Sequence, residues 1–191
     1  FEDCRPFGIR LLSIYGSTES SPHSLVRLND TREHTEETDG CAVDGVEIRV
    51  VDDNRHEVPH GQEGEEASRG PQVFVGYWGE PEMTARALDA DGWYYSGDYC
   101  RTDSEGRCIR ITGRKKDIIV RGGENISSRE VEDIVLEYPG VREAAVVAMP
   151  DERLGERSCA CVSMRPGAPA MHLTDLVAFF DGRRVAKYKF P

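Results

Sequence analysis

Residues 113–126 constrain this chain more than any other stretch: Gly113-Arg114-Lys115-Lys116-Asp117-Ile118-Ile119-Val120-Arg121-Gly122-Gly123-Glu124-Asn125-Ile126. Three cations and a carboxylate follow a glycine, and an apolar triplet of strand composition comes next. A glycine pair then leads towards Ser127-Ser128-Arg129-Glu130, the pattern of a helix start with Ser127 or Ser128 as N-cap. The order reads charged turn, short strand, glycine turn, helix. The flanking charges either meet an anionic ligand or form a solvated loop, and charge runs are usually solvated faces.

The same stretch divides the chain. Beyond it, Val131, Ile134 and Val135 fall at helical spacing, and Pro139-Gly140 ends the helix predicted over residues 129–138. Two apolar strands, over 141–149 and 158–164, and an amphipathic helix over 173–180 complete a small α+β domain spanning 117–191. Before it, short strands at 46–51, 73–75 and 108–111 are separated by Gly and Pro turns, which predicts a small antiparallel sheet or barrel within 40–112. Proline at the start of 81–88 favours a helix there. Residues 24–40 read as a polar surface loop or lid, and no internal repeat is evident. Residues 1–113 thus form one part, 114–116 a hinge and 117–191 a second domain.

Two further segments carry chemistry. The apolar run 9–14 reads as a buried strand that delivers Tyr15-Gly16-Ser17-Thr18-Glu19-Ser20-Ser21-Pro22-His23 at its C-terminal end, a common way to present polar side chains. Tyr15 offers a stacking surface, Thr18 a hydroxyl and Glu19 a carboxylate able to hold Mg2+, although an ordinary polar turn has the same composition. His23 reads as a surface or satisfied polar residue rather than a catalyst. In Trp93-Tyr94-Tyr95-Ser96-Gly97-Asp98 the carboxylate of Asp98 either caps a turn or accepts from two neighbouring ligand hydroxyls.

Composition narrows the function classes. A net charge of −11 with both signs interspersed argues against a nucleic-acid platform, while a local basic cluster still suits a small phosphate ligand. No run approaches the ~18 apolar residues of a membrane span. Phe1-Glu2-Asp3-Cys4 is not a secretory leader, and without an initiator methionine the chain reads as a fragment. The six cysteines are irregularly spaced with no CxxC pair, which argues against zinc and for reduced thiols in a cytoplasmic protein. Cys159 and Cys161 alternate as in a strand and are expected to share one face as small core residues.

Taken together, Tyr15-Gly16-Ser17-Thr18-Glu19, Ser96-Gly97-Asp98 and Gly113 to Ile126, with Arg69-Gly70-Pro71 and Gly76-Tyr77-Trp78 between them, resemble in order and spacing the signature motifs of the adenylate-forming superfamily. That superfamily holds acyl-CoA synthetases, peptide-synthetase adenylation domains and luciferases. The chain looks most similar to bacterial short- and medium-chain fatty acyl-CoA synthetases, notably through Ser20-Ser21-Pro22-His23 and residues 118–133. The resemblance implies the end of a large ATP-binding domain, with a β-barrel-like subdomain, followed by a small mobile C-terminal domain. It implies ATP, Mg2+ and CoA as cofactors and a fatty acid or other carboxylate as substrate, and leaves a homodimer open. Tyr15 would pack on adenine within the motif that includes Gly16. Thr18 would bond the α-phosphate, Glu19 would hold Mg2+ and Asp98 would accept from both ribose hydroxyls. Arg114 would contact ribose and phosphate, Lys116 would sit at the hinge, and Gly122 and Gly123 would lie along the pantetheine path. The family's phosphate loop and catalytic lysine are expected outside residues 1–191, with Lys187 and Lys189 structural or exposed. Glu66 stands where most relatives carry an apolar residue. A domain loading a carrier-protein thiol and a non-catalytic binding fragment are the alternative readings.

Overall fold

The computed structural model describes residues 6–191, so Cys4 lies outside the described residues. Two compact units divide between Ile111 and Thr112. The first begins with a hairpin, β1 (Ile14–Ser17) and β2 (Ser21–Leu25). Helix α1 (Arg32–Glu37) follows, capped by Thr31, whose hydroxyl accepts from the His34 amide. Next come β3 (Cys41–Ala42), β4 (Glu47–Val51), β5 (Gly64–Arg69), α2 (Pro81–Ala87), β6 (Tyr94–Thr102) and β7 (Ile109–Arg114). They build a three-stranded sheet ordered β1-β2-β3 and a four-stranded sheet ordered β4-β5-β6-β7. Strand alternation sends Val50 and Val51 to opposite faces of the larger sheet. Val51 packs with Ala67, Trp93 and Tyr95, whereas Val50 packs with Cys100 and Ile109, with Tyr15 against them.

The second unit starts with β8 (Ile118–Arg121) and β9 (Glu124–Ser127), then α3 (Ser128–Leu136), β10 (Val141–Asp151), β11 (Gly155–Met164) and α4 (Leu173–Gly182). Its sheet runs β10-β11-β8-β9. Ile119 and Ile126, opposed across β8–β9, join Val131 and Val135 of α3, Val146, and Leu176 and Phe180 of α4 in one buried cluster. Full burial of side chains this size contributes about 1.5–3 kcal/mol each. Ser127 is the N-cap of α3, accepting from the Glu130 amide at 3.3 Å. The fold is therefore α+β, with helices set against antiparallel sheets.

Several expectations need correction. Residues 9–13 form no strand, and Ile9 and Ile14 are 55% and 62% exposed, because no described element covers them. Residues 73–75 are not a strand: Phe74 is pinned by its amide to the Glu19 carbonyl, and Val75 points to solvent. The segment 24–40 holds the end of β2 and α1 rather than loop alone. Cys159 and Cys161 are not core residues. The alternation of β11 turns Ala160 and Val162 to the core and leaves Cys161 exposed. Nor are all cysteines reduced. Cys41 and Cys108, 67 residues apart, form a disulfide where an antiparallel bridge joins β3 to the residue before β7. Cys100, Cys159 and Cys161 are free thiols. No helix among the described residues is long and apolar enough to cross a membrane.

Candidate functional site

The β1–β2 hairpin shapes the first group of predicted residues. Gly16 faces the returning strand so closely that a Cβ would lie 2.3 Å from the Ser21 carbonyl oxygen, so no side chain fits. The turn between the strands leaves Thr18 exposed and Glu19 partly buried. Ser17 and Ser20 hydroxyls meet at 3.1 Å beneath it, and Ser17 Oγ donates to Tyr94 Oη at 3.3 Å. Ser21 adopts a left-handed φ of 49°, rare for a residue with a side chain.

Glu19 is kept ionised. Burial pushes its pKa up, but hydrogen bonds from its own backbone amide and from Tyr77 outweigh that and hold it below the usual glutamate value. Tyr77 Oη donates to Glu19 Oε1 at 3.0 Å. A partly exposed, ionised carboxylate beside the exposed Thr18 fits Mg2+, which takes one or two protein carboxylates and fills its shell with water and phosphate oxygens.

Asp98 is presented by a bulge. Glu65 pairs with Tyr99 and Ala67 with Tyr95, so β6 spends extra residues against β5 and pushes Ser96-Gly97-Asp98 out of the ladder. Glu65 Oε1 accepts from the Gly97 amide at 3.0 Å and Ser96 Oγ donates to the Glu66 carbonyl at 3.1 Å. The displaced Asp98 meets Tyr15, whose hydroxyl donates to Asp98 Oδ2 at 2.9 Å across 83 residues. Burial, and then the nearby Glu66 carboxylate, raise the Tyr15 pKa and keep the phenol protonated as a donor. Tyr15 and Asp98 thus share a hydrogen-bonded edge of the first unit, and Glu19 is held by Tyr77 in the same unit.

Arg114, Lys116, Gly122 and Gly123 belong to the second unit. Arg114 ends β7 and is exposed, and Lys116 is exposed in a single 3-10 turn over Lys115–Asp117. Gly122 and Gly123 form the two-residue turn between β8 and β9, with φ of 61° and 89°. Positive φ at both positions is what such a turn requires, so local geometry alone accounts for the glycine pair. The sequence reading anticipated the glycine turn but missed β9, whose residues Glu-Asn-Ile-Ser are too polar to read as a strand. Lys189 is structural: its ammonium pairs with Glu130 at 2.6 Å.

The sequence also missed a buried group under Tyr15. His23 and Glu66 are both wholly buried and 3.2 Å apart, so His23 is satisfied rather than on the surface. The polar string Gly-Glu-Glu-Ala-Ser-Arg gives no local sign of burial, and only the resemblance, which sets Glu66 where most relatives carry an apolar residue, marks the position. Ligand atoms of His34, Asp103 and Cys108 lie within 4.8 Å of one another, but the Cys108 sulfur is already bonded to Cys41.

Comparison with known proteins adds an independent line. A family model described as AMP-binding enzyme matches residues 1–78, and one described as AMP-binding enzyme C-terminal domain matches residues 130–191. The medium-chain fatty-acid–CoA ligase of Escherichia coli strain K12 is 64% identical over 189 residues, which is 99% of this chain and 33% of that protein. The chain therefore spans about a third of the length of that curated relative. Among solved structures, ATP-bound MatB from Rhodopseudomonas palustris superposes with a TM-score of 0.88 at 34% identity, over 96% of this chain and 36% of MatB. MenE from Bacillus subtilis, in complex with its acyl-adenylate intermediate, gives 0.86 at 28% identity over 100% of this chain and 38% of MenE.

Proposed function

We propose, from the premise that this chain belongs to the AMP-binding enzyme family, that the whole protein is an ATP-dependent fatty acid–CoA ligase. In the first step a substrate carboxylate oxygen attacks the α-phosphorus of ATP, the bond to pyrophosphate breaks, and acyl-AMP forms. In the second, the CoA thiol loses its proton and its sulfur attacks the acyl carbon, and AMP leaves with its bonding pair.

The observation that carries this reading is the 2.9 Å bond from Tyr15 to Asp98, together with an ionised Glu19, in a chain so similar to a fatty-acid–CoA ligase. Tyr15 gives the adenine a ring to lie on, clamped at its hydroxyl by Asp98. The remaining capacity of the Asp98 carboxylate accepts from the ribose hydroxyls. The exposed Thr18 hydroxyl donates to the α-phosphate, and the Gly16 backbone, free of a side chain, lets β2 close the turn against it. Glu19 holds Mg2+, which when bound spreads the negative charge of the phosphates. Arg114 supplies a charge-assisted donor to ribose and phosphate. Lys116 is the pivot on which the second unit moves, and Gly122 and Gly123 border the path of the pantetheine arm, where the open space at Gly123 leaves room for it.

The test is pyrophosphate release by the whole protein with ATP, CoA and carboxylates of increasing length. Release that depends on both carboxylate and ATP, with AMP and thioester as products, is the expected outcome. ATP turnover to ADP would refute it. Residues 1–191 by themselves are expected to make no acyl-CoA, since they span 33% of the related ligase.

A further inference from the structure

Beneath the Tyr15–Asp98 edge lies an ionisable pair for which the reaction above has no use. His23 of β2 and Glu66 of β5 are each 0% exposed, and His23 Nε2 lies 3.2 Å from Glu66 Oε1. The other ring nitrogen, Nδ1, is 2.9 Å from the Ser21 carbonyl oxygen and 3.1 Å from Ser20 Oγ. A carbonyl oxygen only accepts, so Nδ1 carries a hydrogen. The neutral ring would then offer Nε2 as an acceptor and could not bond a carboxylate. A single proton therefore sits between Nε2 and Oε1, whichever of the two formally holds it.

This arrangement is costly for β5, an interior strand of its sheet. Glu66 Oε2 is buried and has no hydrogen-bond partner, and Ser68 Oγ, two residues along on the same face, has none either. A buried carboxylate with an orphan oxygen is less favourable than an aliphatic side chain of similar volume. Its placement points to a task outside packing, and the contacts of His23 indicate which. Its ring meets Tyr15 edge-on, with centroids 5.2 Å apart and planes at 72°. Its Nδ1 holds Ser21, the residue with the left-handed φ that directly follows the Thr18–Glu19–Ser20 turn. Strained backbone of this kind persists where surrounding bonds over-determine it.

We propose that His23 and Glu66 are positioning residues for the nucleotide: their shared proton locks the His23 ring, which fixes the plane of Tyr15 and the Thr18–Glu19 turn. This rests on the ligase reading. The titratable groups facing the pair are Tyr15 from β1 and Tyr94, Asp98 and Cys100 from β6. Burial raises Tyr15, Tyr94 and Cys100, so all three stay protonated across the neutral range. Burial alone would lower the His23 pKa, but the hydrogen bond and charge of Glu66 overcome it and raise the value. The lock is thus complete below the ordinary histidine value of about 6.5. It is lost as pH rises through the raised one, where Nε2 and Oε1 would present lone pairs to each other.

The test uses the whole protein with Glu66→Leu and Glu66→Gln. Glu66→Leu leaves Nε2 without a partner. It should raise KM for ATP about 10-fold, inside the range over which residues of one hydrogen-bond network couple, with kcat at saturating ATP within about twofold. Glu66→Gln can donate its amide to the neutral ring. It should restore KM near pH 7 and remove the alkaline rise in KM that the wild type shows. A packing role would instead lower Tm in both variants and leave KM and its pH profile alone, which would overturn the proposal. The imidazole nitrogen resonances of His23 in the wild type need no turnover. Titration above the ordinary histidine range is expected, and titration at or below it would sink the proposal. Absence of pyrophosphate release by the wild type would strike the ligase reading instead, and the resonances would still decide on the proton.

Discussion

At the scale of single residues, Asp98 bears the most testable role. In the whole protein, Asp98→Ala removes the acceptor for the Tyr15 hydroxyl and, on the proposed function, for two ribose hydroxyls. From about 1.5–3 kcal/mol per bond to a charged group, less what water returns, the loss is about 2–4 kcal/mol in ATP binding or adenylation. Isothermal titration with ATP and the first half-reaction rate check this, and unchanged values in both would remove Asp98 from the site. The structure joins Tyr15 to Asp98, and the sequence singles both out because each sits in a compact motif with its own chemistry. His23 and Glu66 were not. They lie 43 residues apart, and burial of a carboxylate depends on which strands flank it, which local composition does not record. Tyr77 stands out in the sequence only as part of a motif, since nothing there places its hydroxyl 3.0 Å from Glu19.

At the scale of elements, the β8–β9 hairpin links local geometry to the proposed CoA path. Gly123 has a φ of 89° and open space where a Cβ would stand, so a side chain there meets strain but no clash. Gly123→Asn, which tolerates positive φ better than most residues, should cost under about 1 kcal/mol of stability. In the whole protein it should slow thioester formation from preformed acyl-AMP far more than pyrophosphate exchange, because a thiol displaced by about 1 Å can react 100-fold more slowly. Equal losses in the two assays would make Gly123 a turn residue and nothing more. In the same unit, Phe180→Ala should destabilise by about 3–5 kcal/mol in denaturant unfolding, since Phe180 is wholly buried in the α3–α4 cluster. The helices of the second unit and its strands β8, β10 and β11 were readable from their apolar runs and period. β5 and β9 were not, because pairing with neighbours, rather than residue propensity, makes them strands.

For the molecule as a whole, the Cys41–Cys108 disulfide is the largest departure from the sequence reading. It closes a loop spanning 67 residues, and cross-links of this kind typically contribute about 2–4 kcal/mol. Dithiothreitol or Cys41→Ser should therefore lower the melting midpoint, and an unchanged midpoint would mean the bond carries no stability. Acid should also destabilise the fold. Asp89 is opposed by burial but held below the usual aspartate range by the Trp93 amide and the Tyr95 hydroxyl, and Glu19 is likewise depressed. Groups lowered on folding contribute stability above their unfolded pKa of about 4 and lose it as pH falls through the folded value. Thermal melts from pH 6 downward should fall, beginning near that value.

The most direct measurement is carboxylate-dependent exchange of labelled pyrophosphate into ATP by the whole protein, run without CoA and then with it. Acyl-AMP formation predicts exchange that requires the carboxylate, proceeds without CoA, and gives way to AMP and acyl-CoA once the thiol is added. No exchange with any carboxylate, under conditions where the protein is folded and binds ATP, would contradict the assignment of adenylate chemistry.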